Sequence, residues 1–166
     1  MKKQIMLLFS TATLFAACGG SGEKATSTES ASKDQTEATS AATTELTINV
    51  VGNTMDEMSY DTKELKVKAG AKVKVNLTNK ATDAAMQHNI VFVKQGTEKD
   101  VAMEGLNFAS TNYFNSANVN VIAGSAIATP GKTVSVEFTA PAAGTYGFVC
   151  TFPGHFMKMN GVLIVE

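Results

Sequence analysis

The stretch KVKVNLT, residues 72–78, alternates apolar and polar side chains along its whole length. Successive side chains of a β-strand point to opposite faces, so Val73, Val75 and Leu77 would share one face. The pattern predicts a strand that is buried on one side and open to solvent on the other. Residues 132–138 repeat the alternation and are predicted to form a second strand of this kind.

Similar short apolar runs recur along the chain, with Gly- and Pro-containing turn signals between them. They lie at residues 46–51, 64–68, 88–93, 119–127, 144–149 and 161–165. About eight short strands separated in this way predict an all-β fold, an antiparallel β-sandwich.

Residues 97–118 depart from the strand pattern. Thr97 is a candidate helix N-cap, with an acidic residue three positions later. A loosely helical series of apolar residues follows: Val101, Met103, Leu106 and Phe108. We expect a short helix or an irregular flap inserted between two strands.

The composition narrows the kind of function. The chain has 166 residues and a formal net charge of −1, and it has no long basic run, which argues against binding to nucleic acid. Its length suits one globular domain with additional tails. It has only two Cys and two His residues, so few residues can contribute to a site built from those types.

The N-terminus has the layout of a secretory signal over residues 1–17, with two lysines followed by a short apolar run. The stretch LFAAC, which ends at Cys18, resembles the lipobox of bacterial lipoproteins. That resemblance implies that Cys18 is lipidated and becomes the first residue of the mature protein. The alternative is ordinary signal cleavage that leaves Cys18 as a free thiol.

Between this cysteine and the first predicted strand lies a segment rich in Gly, Ser, Thr and Ala. It lacks the aromatic and branched apolar residues that a folded core requires. We therefore interpret residues 18–44 as a lipidated cysteine followed by a disordered tether, and residues 45–166 as the folded domain. The signal and the lipid together predict a membrane-anchored protein outside the cytoplasm, on the periplasmic face or the cell surface.

The sequence CTFPGHFMKM, residues 150–159, concentrates a thiol, an imidazole and two thioethers around a Pro-Gly turn. Cys150 alone would more often be a small buried apolar residue. Together with His88, the only other histidine, Cys150, His155 and Met159 form the donor set of a mononuclear blue-copper site, whereas zinc would gain little from a thioether. Copper is therefore the predicted cofactor, with Met157 as an alternative to Met159.

His88-Asn89 and the motif C-T-F-P-G-H-x-x-x-M resemble the azurin and auracyanin branch of the cupredoxins, over roughly residues 45–166. The resemblance implies a Greek-key β-sandwich with a single copper ion. It also implies the ligand roles, with His88, Cys150 and His155 in a trigonal arrangement and Met159 in the axial position. The backbone carbonyl of Gln87 is a candidate fifth ligand.

The resemblance also implies which residues support the ligands. The backbone N–H groups of Asn89 and Phe152 would donate to the sulfur of Cys150, and the Asn89 side chain would hold the ligand loop near Thr151. Such donors stabilise negative charge on sulfur and shift the reduction potential.

These features predict an electron-transfer protein and not an enzyme, acting as a monomer and docking transiently with redox partner proteins. The docking surface would surround an exposed edge of His155 and consist of Met86, Pro153, Phe156 and Met157. Phe156 and Met157 could instead merely pack over the loop. The alternative functions are a copper carrier or chaperone, and a catalytic Cys150–His155 pair that leaves His88 without a role.

Overall fold

A computed structural model of the protein describes residues 43–166. In this part of the chain there are nine strands and one α-helix, with a 3-10 turn at Ala109–Thr111. The first elements are β1 (Thr44–Val51), β2 (Ser59–Tyr60), β3 (Glu64–Val67), β4 (Lys72–Asn79), β5 (Val91–Lys94) and α1 (Glu98–Gly105). The remaining strands are β6 (Val121–Gly124), β7 (Thr133–Thr139), β8 (Gly144–Val149) and β9 (Asn160–Val165). The predicted signal, Cys18 and almost all of the predicted tether lie outside the described residues.

The strands form two sheets, ordered β2-β1-β4-β7 and β3-β9-β8-β5-β6. Alternating residues of both sheets point inward, as the pattern of residues 72–78 predicts, and form one apolar core. Its larger members include Ile48, Leu77, Phe92, Phe148 and Leu163. The predicted all-β sandwich is confirmed.

Two details of the sheets differ from the predicted antiparallel arrangement. β1 pairs with β4 in parallel, and β3 pairs with β9 in parallel. Between β1 and β4 the chain passes through β3 in the other sheet, so it crosses the sandwich before it returns to the first sheet as β4, beside β1. β2 is an additional strand of two residues that the apolar pattern does not indicate.

The inserted segment contains the expected short helix, but its buried face differs from the predicted one. Thr97 lies at the N-cap position without capping the helix through its side chain. Val101 is buried, whereas Met103 and Leu106 are exposed. The helix covers the outer face of β5, where Val101 packs with Val91 and Val93. This small contact is the apolar face that the helix buries.

Three neighbouring strands bring distant parts of the sequence to one end of the second sheet. Val91 at the start of β5 pairs with Val149 at the end of β8, and Val149 pairs with Asn160 at the start of β9. The residues just beyond these strand ends must therefore lie close together. They include the three predicted ligands His88, Cys150 and Met159. Over residues 43–166, no helix is both long and apolar enough to cross a lipid bilayer.

Candidate metal centre

Three side chains converge at this end of the sandwich. The Nδ1 atoms of His88 and His155 are 3.1 Å apart, and the sulfur of Cys150 lies 3.9 Å and 3.7 Å from them respectively. In a triangle with these sides, the point equidistant from the corners lies about 2.1 Å from each. This distance matches a metal–nitrogen bond and is slightly shorter than a metal–sulfur bond of about 2.3 Å. One first-row metal ion could therefore contact all three atoms.

The hairpin between β8 and β9 is held in shape by a glycine turn and by hydrogen bonds within its own backbone. Gly154 has a φ of 86°, a conformation that favours glycine, and it lets the chain reverse after Pro153. Inside the hairpin, the N–H of Met159 donates to the carbonyl of His155 at 3.0 Å, and the N–H of Cys150 donates to the carbonyl of Met159 at 2.9 Å. These bonds hold the three residues together, and the Met159 side chain is fully buried.

At neutral pH the two imidazoles are in the form that binds a metal, whereas the thiol of Cys150 is protonated. Burial lowers the pKa of His88 to about 4, with a further contribution from nearby His155, and burial lowers the pKa of His155 to about 4. Both imidazoles are therefore neutral at pH 7, the form that coordinates a metal. Burial raises the pKa of the Cys150 thiol to about 12, so a bound metal ion must displace its proton.

Hydrogen bonds to Cys150 oppose the effect of its burial. The backbone N–H groups of Asn89 and Phe152 and the hydroxyl of Tyr60 all act to lower the pKa of the thiol. The first two donors are the ones that the sequence resemblance implied. The Tyr60 hydroxyl was not anticipated from the sequence.

Asn89 joins the two segments that carry the ligands. Its side-chain carbonyl accepts from the N–H of Thr151 at 2.9 Å, and its amide donates to the Thr151 hydroxyl at 2.8 Å and to the carbonyl of Asn112 at 2.7 Å. Asn89 and Thr151 are buried and follow His88 and Cys150 in the chain. Asn89 therefore connects the segment that follows His88 to the segment that follows Cys150.

Asn79 supports the His88 segment from the end of β4, a role that the sequence pattern did not reveal. Its buried amide donates to the carbonyls of Met86 at 2.7 Å and Ala128 at 2.9 Å. Ala128 in turn exchanges two backbone hydrogen bonds with His88. Asn79 is the last residue of β4, whose alternate residues are buried. The one sequence signal for this role is an amide at a position where the alternation predicts a buried apolar side chain.

Lys63 contacts the other side of the hairpin. Its ammonium group donates to the carbonyls of Lys158 at 2.9 Å and Asn160 at 3.1 Å, the residues on either side of Met159. Lys158 itself reaches Asp56 at 3.1 Å. These contacts join residues about a hundred positions apart in sequence, so no local pattern could have indicated them.

The surface around the site differs in part from the predicted docking surface. Met157 is 75% exposed, Pro153 is exposed and Phe156 is partly buried. Met86 is buried, because Asn79 holds its backbone against the core. The expected exposed edge of His155 is wrong, since this residue is only 1% exposed and the ring of Phe152 lies 4.9 Å from its ring.

The family model for copper binding proteins of the plastocyanin/azurin family matches residues 46–166. The chain belongs to this family. It is 37% identical to auracyanin-A from Chloroflexus aurantiacus over 98% of this chain and 94% of the relative. It is 34% identical to azurin from Alcaligenes faecalis over 70% of this chain and 94% of that protein.

Structural comparison agrees with the sequence comparison. The solved structure of auracyanin A, a "blue" copper protein from Chloroflexus aurantiacus, superposes with a TM-score of 0.67 and 38% identity. The match covers 75% of this chain and all of that one. The predicted relationship to azurins and auracyanins and the predicted Greek-key fold are confirmed.

Copper is the cofactor of this blue copper protein, and the residues present fit the ion. The site contains one thiol and two neutral imidazoles within reach of a common point, with the buried Met159 thioether carried on the same hairpin. Thiolate and thioether are soft donors that suit Cu(I), whereas imidazole also suits Cu(II). A donor set of this composition can therefore hold both oxidation states.

Proposed function

We propose that this protein is a mononuclear blue-copper electron carrier, held on a membrane outside the cytoplasm by a lipid on Cys18. The convergence of His88, Cys150 and His155 in a fully buried cluster supports the proposal most strongly. Met159 would be the axial ligand, and the Gln87 carbonyl remains a candidate fifth ligand. The protein would act as a monomer without changing a substrate chemically.

Bound copper would supply a one-electron couple between Cu(I) and Cu(II). The chain would contribute a preformed arrangement of donors, because hairpin hydrogen bonds and the Asn89 clamp fix the ligands from both sides. Little rearrangement is then needed when an electron arrives or leaves. Burial of the cluster excludes water from the ligand atoms.

The ligand assignment is tested by loading purified protein with Cu(II). We expect an intense visible thiolate-to-copper band that disappears and returns on reduction and reoxidation. Cys150→Ser should abolish the band, whereas Met157→Leu should leave it in place and Met159→Leu should alter it. A colourless loaded protein would contradict the proposal. Rapid transfer of copper to a chelating acceptor would favour a metal carrier instead.

The exposed part of the hairpin is the proposed docking surface for redox partners. It consists of Pro153, Phe156 and Met157, and the side chain of Met55 lies against Gly154. Met86 is buried and does not form part of the exposed surface. Exposed apolar groups around a buried redox centre suit brief contacts of small area. His155 lies between Gly154 and Phe156 in the chain and would be the ligand through which electrons pass.

Met157→Glu tests this surface better than a change at Phe156, because Phe156 is partly buried. We expect unchanged absorption and slower electron self-exchange between oxidised and reduced copies, measured by NMR line broadening, since two like charges would face each other. Val119→Glu is the matched control, because Val119 is 80% exposed and Met157 is 75% exposed. Equal self-exchange rates in the two variants would contradict the docking surface.

Lipidation is tested by expressing the whole chain in a bacterium supplied with an alkyne-labelled fatty acid. The wild type should carry the label and sediment with membranes, whereas Cys18→Ser should do neither. Cys150→Ser should keep the label, because the chain has only these two cysteines. Label on the Cys18→Ser protein would exclude Cys18 as the lipid site.

A further inference from the structure

Tyr60 is a buried polar residue that the proposed electron-transfer mechanism does not use. It lies in β2, where it pairs with Val50, and is only 3% exposed. Its hydroxyl donates to the backbone carbonyl of Asn89 at 2.6 Å. β2 belongs to one sheet, and Asn89 lies just before β5 of the other, so this bond links the two sheets beside His88 in the chain.

The carbonyl that Tyr60 contacts belongs to an unusual peptide group. The N–H of the same peptide, at Ile90, donates to the hydroxyl of Ser125 at 3.1 Å. Both polar atoms are thus bonded to side chains, although a neighbouring strand would normally provide such partners. The peptide directly before it, between His88 and Asn89, carries the N–H that approaches the Cys150 sulfur.

Cys150 lies near the same hydroxyl, whose single hydrogen is donated to the carbonyl of Asn89. Burial, together with the nearby Cys150 charge, raises the pKa of Tyr60 well above its usual value. Tyr60 therefore keeps its proton and remains a donor. Its ring is fixed edge-on against Phe148, with ring centroids 5.6 Å apart, which limits the directions in which the hydroxyl can point.

We propose that Tyr60 is a positioning residue for the copper centre, whose hydroxyl fixes the backbone after His88 and thereby the Asn89 N–H that approaches the sulfur of Cys150. The proposal rests on the ligand set given above. A donor near the sulfur draws electron density from it and so favours the reduced metal. Removing the hydroxyl should loosen the Asn89 N–H near the sulfur and therefore favour the oxidised form.

Tyr60→Phe tests the proposal, because it removes the hydroxyl and keeps the ring in the core. We expect the variant to bind copper and remain coloured, with a shifted thiolate-to-copper band. The equilibrium between reduced and oxidised protein should move about tenfold toward the oxidised form, which corresponds to a reduction potential about 59 mV lower.

Tyr146→Phe is the matched control. Its hydroxyl donates to the carbonyl of Ala142 at 2.9 Å in an exposed position, so its removal should change neither band nor potential. If Tyr60→Phe lowers the stability of the copper-free protein while band and potential stay at wild-type values, Tyr60 is merely structural and the inference is wrong. A wild-type protein without the intense band would instead contradict the proposed ligand set.

A second measurement covers the case in which Tyr60→Phe does not fold. The chain contains three tyrosines, so 3-fluorotyrosine incorporated into a Tyr113→Phe, Tyr146→Phe background would occupy position 60 alone. The fluorinated phenol is a stronger donor of nearly the same shape, so it should hold the Asn89 carbonyl more firmly, and we expect it to raise the reduction potential. An unchanged potential would overturn the inference.

Discussion

Replacement of Asn89 by Ala should destabilise the copper-free protein more than any exposed amide replacement. The substitution removes two buried hydrogen bonds and one part-buried one, and it leaves the N–H of Thr151 and the carbonyl of Asn112 without these partners. Each buried bond contributes about 1 kcal/mol, and each polar group left unpaired costs about 1–3 kcal/mol. The expected loss in the free energy of unfolding is about 3–5 kcal/mol.

The assay is urea unfolding of copper-free protein followed by circular dichroism, with the slope of the transition compared between variants. Asn76→Ala is the control, because its amide donates to Glu45 at 2.6 Å in a solvent-exposed position. We expect this control to lose less than about 1 kcal/mol. If Asn89→Ala lost no more than Asn76→Ala, the two ligand segments would not depend on the clamp for their association.

Three further outcomes follow from the structure. In the copper-free protein, the free energy of unfolding should fall as the pH drops from about 6.5 to about 4, because unfolding exposes His88 and His155 to protonation. Above pH 7 these two groups should not affect it. Urea titrations that gave the same free energy of unfolding across this acid range would contradict the prediction. Lys63→Met should speed copper loss to a chelator several-fold by releasing the carbonyls on either side of Met159. Lys66→Met, at an exposed lysine paired with a neighbouring carboxylate, should not; equal loss rates would refute the role of Lys63. Asn79→Ala should lower the free energy of unfolding by about 2–4 kcal/mol in the same urea assay, because the buried amide of Asn79 donates to two carbonyls. A loss below about 1 kcal/mol would contradict this supporting role.

Much of the architecture can be read from local sequence because strand burial repeats every second residue. The run containing Val73, Val75 and Leu77 is buried at those positions. The ligand hairpin can be recognised for a related reason, since Cys150 and His155 are only five residues apart. Local patterns fail where a residue acts across the sandwich: Tyr60 has an ordinary strand sequence around it.

The same limit explains the incorrect details of the site. Exposure of Met86 and His155 depends on what packs over them, which neighbouring residues do not specify. The parallel pairing of β1 with β4 depends on a crossover between sheets, and alternation is identical in parallel and antiparallel strands.

The division of the donor atoms between two pieces of chain has an engineering consequence. A single ten-residue hairpin carries Cys150, His155 and Met159 and is held together by its own hydrogen bonds, so it could be transferred to another protein as one segment. Only the imidazole of His88 must be supplied by the recipient scaffold. Any sandwich that offers one histidine at the correct distance from two adjacent strand ends is thus a candidate host, and that separation becomes the parameter a designer would adjust.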